Sequence, residues 1–240
     1  MITVYGENIT LDQLCGIPVE RPNGAGRAWK GIAHADLAYA ILDEIRSRKW
    51  TCGGHKFSLG AAGADMVGAF DLAIPDIPAP DGQTLSLGVV TSNAQKTALT
   101  LLVGTTVRVC TNGMATGEIV LRSKHTKRFD LYAGIERGLD EYARRATVIA
   151  DVVAALRETK LGDRKAEHLL IESGRQGLMP WSRVGRVDAV YRSEAHRAMH
   201  GAGTAWSLLN AFTDIVKMNP PWHQMRQMNG FRGLLLGQSS

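Results

Sequence analysis

Between Arg122 and Arg128 the sequence reads RSKHTKR, which puts five cationic or titratable side chains in seven positions. Arg122, Lys124, His125, Lys127 and Arg128 could neutralise several phosphates, with the Thr126 hydroxyl donating one further hydrogen bond. If the segment is extended, Arg122, Lys124, Thr126 and Arg128 share one face, and His125 and Lys127 share the other. The competing reading is a solvated strand edge, on which lysines discourage aggregation.

A second basic stretch runs from Pro180 to Arg197. Trp181, Arg183, Arg186, Tyr191, Arg192, His196 and Arg197 alternate aromatic rings with guanidinium groups. Single-strand binders use this mixture, because bases stack on aromatic faces while arginine neutralises phosphate. The alternative makes Trp181 and Tyr191 core residues and pairs the arginines with Asp188 and Glu194.

Other constellations are incomplete. His196 and His200 stand at i and i+4, but the glutamate of an HExxH site is absent and nothing obvious completes a ligand set. Cys52 and His55 also lack partners, so no metal or other cofactor is expected. Gly24-Ala25-Gly26 and Gly53-Gly54 do not sit between a strand and a helix as a dinucleotide loop requires. A phosphate-loop pattern and a GxSxG elbow are both missing. Asp65 and Asp71 fall on one face of a strand, where two carboxylates could hold a metal; amid so many glycines, turn-capping is the expectation. His125-Thr126 has the wrong order for a His-x-Thr phosphodiesterase pair. No catalytic residue is assigned.

These groups need elements to hold them. Leu37, Ile41 and Ile45 predict a helix over 34–48. Residues 53–68 are rich in glycine, with short β-prone pieces near Phe57 and from Met66 to Leu72, and the Pro75–Gly82 segment reads as a loop. LSLGVVTS, TALTLLVG, TTVRVCT and GEIVLRS then predict an antiparallel meander over 85–123, with a tight hairpin at Asn112-Gly113. Leu131, Ile135, Leu139, Tyr142, Ala146, Ile149, Val153 and Leu156 follow in steps of three and four, predicting one long helix. It must lie across the sheet or on a neighbouring subunit. Shorter helices are expected near 162–173, 188–200 and 204–217 and after Pro221, and Gly174–Gly185 is linker-like. The fold class is α+β, an antiparallel meander with a long helix and a helical C-terminal lobe. One domain over 1–240 is expected, sheet-rich over 50–125 and helical over 130–240.

Of 240 residues, 45% are hydrophobic and 21% charged, as in an ordinary globular protein. The net charge is +5 and unevenly placed. Residues 1–90 hold 7 basic and 10 acidic side chains, residues 91–150 hold 9 and 5, and residues 151–240 hold 12 and 8. The positive excess accompanies both basic stretches, which suits a polyanion partner. No apolar run approaches the ~20 residues of a membrane span, and MITVYGENIT does not open like a secretory signal. Cys15, Cys52 and Cys110 form no framework. A cytoplasmic protein with free thiols is expected.

Three passages together resemble the phage/plasmid-like protein family known as domain of unknown function 932. The first is Leu85 to Met114, a strand ending in small polar residues, a further strand, and the turn Arg108-Val109-Cys110-Thr111-Asn112. The second is Lys124-His125-Thr126. The third is Thr204-Ala205-Trp206 leading into Leu209-Asn210-Ala211 and Thr213. The first 30 residues and 160–200 match nothing in that pattern. The resemblance implies a phage or mobile-element origin and a cytoplasmic setting, and it supplies no activity. The expected function is single-stranded DNA or RNA binding, or strand annealing in recombination or replication, by a homo-oligomer. The alternative is a non-enzymatic anti-defence protein that binds a host protein and ignores DNA. An enzyme whose catalytic groups come from distant segments stays open.

Overall fold

The computed structural model describes residues 7–80, 83–107, 118–217, 219 and 221–237. Six strands form one sheet: β1 (Glu7–Ile9), β2 (Thr51–Gly60), β3 (Asp65–Ala73), β4 (Gln83–Ser92), β5 (Leu99–Val107) and β6 (Glu118–Ser123). Each pairs antiparallel with the next in sequence, so the sheet is a pure meander with β1 and β6 at its edges. The helices are α1 (Leu11–Leu14), α2 (His34–Ser47), α3 (Leu131–Glu158), α4 (Asp163–Arg175), α5 (Trp181–Arg192), α6 (Glu194–His200), α7 (Ala205–Val216) and α8 (Pro221–Leu235). The protein is an α+β structure with a helical C-terminal lobe. Among the described residues no helix is long and apolar enough to cross a membrane.

The meander is larger than expected. β2 and β3 are strands of 10 and 9 residues where only short pieces were predicted. The glycines are accommodated by packing. The register shifts between Cys52 and Gly54, and Gly68 makes room for its neighbours. A Cβ on Gly68 would lie 2.7 Å from Val89 Cγ1 and 2.9 Å from Phe57 Cδ1. TALTLLVG and TTV form one strand, not two, because Gly104 pairs with Ser86 inside the ladder. The Asn112-Gly113 turn lies outside the described residues.

The long helix is unbroken, and its predicted stripe is buried from Ile135 to Leu156. Leu131 is partly buried. Asp130 caps the first turn, its Oδ1 accepting from Ala133 N at 3.1 Å. Gly138 lets the helix approach the sheet, since a Cβ there would sit 2.7 Å from Leu101 Cδ1 and 3.3 Å from Leu121 Cβ. At 1.5 Å per residue α3 is about 42 Å long, and it joins two cores. Ile135, Leu139, Tyr142, Ala146 and Ile149 pack with α2 and the sheet. Val153 and Leu156 pack with α4, α5, α7 and α8.

In the lobe, the expected helix over 188–200 is two. Ser193 ends α5 and caps α6, its Oγ accepting from His196 N at 3.3 Å and donating to Val190 O at 2.9 Å. The linker-like stretch also shrinks, because α4 runs to Arg175 and α5 starts at Trp181 directly after Pro180. Proline before a first turn loses no intrahelical bond.

Tyr142 offers a test of the sheet core. It is fully buried, and its hydroxyl has no partner among the described residues. Burial, with the Asp71 carboxylate adding to it, holds the phenol far above its ordinary pKa. Tyr142→Phe removes an unsatisfied group of unchanged shape, so stability should hold or rise by about 1 kcal/mol in urea denaturation. A loss of more than that would mean the hydroxyl has a partner in solution.

Candidate functional site

The basic run leaves the sheet at its β6 edge and is held by a second segment. Lys30 N donates to His125 O at 3.2 Å and Lys127 N to Ala28 O at 2.9 Å. Thr126 therefore faces Trp29 across an isolated antiparallel bridge. Extended geometry up to Thr126 sets the side chains by alternation. Arg122 and Lys124 point to solvent, as do Lys127 and Arg128 beyond the bridge. Among the described residues none of these four side chains makes an ion pair.

His125 turns inward and is only 7% exposed. Its Nε2 lies 2.9 Å from Thr91 Oγ1, and its Nδ1 is buried without a partner among the described residues. Burial first, and then the charge of nearby His34, lower its pKa to about 4. The ring is therefore neutral at neutral pH and sits off the cationic face. His34, the first residue of α2, is also buried, with Nε2 2.9 Å from Gly63 O.

The small polar end of β4 ties these parts together, each residue reaching a different segment. Thr91 meets His125. Ser92 Oγ donates to Asp65 Oδ1 at 2.6 Å, and Lys96 Nζ donates to Asp65 Oδ2 at 3.0 Å. Asn93 exchanges two bonds with the Ile32 backbone, at 3.1 and 2.9 Å. Asp65 is thus committed to Ser92 and Lys96. Six residue steps along β3 separate it from Asp71 by about 20 Å, too far to share a metal.

Two clefts flank Thr126. One, of about 480 Å³, is lined by Trp29, Ser92, Lys96, Arg122, Lys124 and His125, among others. The other, of about 490 Å³, holds Lys30, Lys127, Arg128 and Tyr132 together with the acids Asp36 and Asp130. Tyr132 is 67% exposed. Sequence reasoning missed Trp29, Lys30 and Tyr132. For Tyr132 a signal was present, since it is an aromatic residue one position off the α3 stripe.

The second stretch is divided. Trp181 is 57% exposed, and its ring rests on Gly174 of α4. Arg186 and Arg197 are exposed. Tyr191 is 2% exposed inside the lobe, so its ring is not offered to a base. Arg183 Nη1 donates to Asn219 Oδ1 at 2.6 Å. Arg192 is engaged by Asp188, Glu167 and Asp163 at 2.9, 2.8 and 3.4 Å. His196 is buried with Nε2 2.9 Å from Ser207 O, and its ring centroid lies 4.6 Å from that of His200. Among the described residues no three His, Cys, Asp or Glu side chains gather as a metal site. The two basic stretches do not merge. One precedes the first turn of α3 and the other belongs to the core that starts at Val153, about 33 Å along the helix.

The model of the family described as Domain of unknown function (DUF932) matches residues 76–229, more than half of the chain. The match includes both basic stretches and leaves His34 and Asp65 outside it. No curated protein and no solved structure matches the chain.

Proposed function

This chain belongs to the domain of unknown function 932 family, and from that premise we propose that it binds single-stranded nucleic acid. The observation that carries this reading is the β6 edge. There Arg122, Lys124, Lys127 and Arg128 are exposed without ion pairs among the described residues, beside Lys30 and the exposed Tyr132 ring. Cations that track a backbone, next to a ring on which a base can stack, are what sequence-tolerant binding to single strands requires. The reading places the protein on a phage or plasmid, in recombination or replication. Annealing two strands requires more than one such surface, so it includes a homo-oligomer.

The test is fluorescence anisotropy on a labelled oligonucleotide over a salt series. Affinity should fall steeply with salt as condensed counterions are released. Replacing Lys124, Lys127 and Arg128 with Ala should weaken all sequences alike and flatten the slope by about 0.7 for each lost phosphate contact. Tyr132→Ala should instead lower affinity by about 1–3 kcal/mol at unchanged slope, because stacking releases no counterion. Trp181→Ala should do the same only if the strand extends to the helical lobe. Absence of binding at low salt would remove this reading and favour an anti-defence protein that binds a host protein.

A further inference from the structure

We propose that the cleft between Trp29, the turn after Ser92 and the end of β6 receives a phosphate monoester, such as the terminal phosphate of a strand. The inference rests on the single-strand reading and names the part of the strand that this cleft takes.

Charge is the first argument. Arg122, Lys124 and Lys96 all line the cleft, and Asp65 lies under Lys96 at 3.0 Å. Three cations less one carboxylate leave two positive charges. An internal phosphodiester brings one negative charge, whereas a monoester carries nearly two at neutral pH. Arg122 and Lys124 are exposed and without ion pairs among the described residues, and Lys96 has its ammonium partly in solvent.

Unused hydrogen-bonding capacity is the second, independent argument. Trp29 Nε1 is buried without a partner among the described residues, and an indole N–H can only donate. Buried polar groups are ordinarily paired. Beside a cationic cleft, the Trp29 N–H is a donor suited to a phosphate oxygen.

The third argument is shape. The Trp29–Thr126 bridge, fixed by its two backbone hydrogen bonds, stands between this cleft and the one holding Lys127 and Arg128. A strand lying along Lys127 and Arg128 meets the bridge before it reaches Trp29, so the far cleft suits a chain end.

The experiment compares one oligonucleotide with a 5′-phosphate, a 3′-phosphate or no terminal phosphate. Inorganic phosphate and a nucleoside monophosphate serve as competitors. One phosphorylated end should bind about tenfold more tightly than the unphosphorylated strand. Arg122→Ala with Lys124→Ala should abolish that preference, while Lys127→Ala with Arg128→Ala should weaken all three strands equally. If the nucleoside monophosphate erases the preference at low concentration, the cleft serves free nucleotides as well as strand ends. Equal binding of the three strands would overturn this inference and leave the single-strand reading standing. If no strand binds, a Tm raised by inorganic phosphate in wild type but not in the Arg122/Lys124 variant would keep the monoester cleft without the strand. No strand binding and no phosphate effect would overturn both.

Discussion

Ile149→Ala is expected to lower the stability of the protein by about 2–5 kcal/mol, the cost of emptying a buried Ile site that only partly relaxes. Ile149 is 6% exposed and is the last residue of the α3 stripe that packs with the sheet; Val153, four residues on, packs with the helical lobe. The substitution therefore strikes where one core hands over to the other. We propose that residues 1–240 form one cooperative domain, and α3 is the reason, because an unbroken helix cannot lose its hold on one core without loosening the other. Urea unfolding should show a single transition, followed by far-ultraviolet circular dichroism and by tryptophan fluorescence. Trp50 reports from the sheet side and Trp206 from the lobe. Ile149→Val should cost only about 0.5–1.5 kcal/mol. Two separated transitions in the Ala variant would show that the sheet and the lobe unfold as independent units.

The same helix shows what a sequence reveals and what it conceals. Its stripe was legible because seven successive steps of three or four leave no other geometry for the apolar residues. β4 was legible as an apolar, β-branched run bounded by turn residues, and β6 as the strand returning from the Asn112-Gly113 signal. The full length of β3 was hidden because the reason for its Gly68 lies on other strands, where it faces Phe57 of β2 and Val89 of β4. Ser193 was equally suited to the middle of a helix or to a cap, and only its bond with His196 N separates α5 from α6.

The candidate site divides the same way. A run of cations has few places to go except solvent, so the exposure of Arg122, Lys124, Lys127 and Arg128 could be read from their types. Alternation correctly set His125 opposite Arg122 and Lys124, but nothing local showed that its side is closed by Thr91 and His34. Trp29 and Lys30 join the site through backbone pairing across nearly a hundred residues. Burial of Tyr191 depends on how α5 lies on α7. Arg192 faces three acids, of which only Asp188 is near in sequence. Long-range pairing decides these positions, and a periodicity cannot carry it.

Acidification from pH 7 to 4 is expected to destabilise the fold well before its carboxylates protonate. His125 and His200 are both buried, and each has its pKa lowered to about 4, from an ordinary value of 6.5. Burial is the larger cause in both, followed by the neighbouring imidazole, His34 for His125 and His196 for His200. The Asp214 carboxylate works in the opposite direction on His200, and Asp65 does so on His34. Burial also lowers His34 and His196. The sign follows from where the proton binds first. Between about pH 6.5 and 4 the unfolded chain takes up protons that the folded chain refuses, so stability drops as pH falls. The contribution is whole above 6.5, erodes below it, and is gone once pH is under 4. His125 and His200 each contribute at most about 3 kcal/mol, and less to the extent that solvent reaches the ring. Carboxylates titrate mostly near pH 4, so a decline starting close to pH 6 belongs to histidine. The measurement is the urea midpoint at pH 7, 6, 5 and 4. His125→Asn and His200→Asn together should flatten the decline even if they lower the midpoint at pH 7. A wild-type midpoint unchanged down to pH 4.5 would mean that these rings are open to protonation in the folded protein, and the closed pocket behind Thr91 would have to be abandoned.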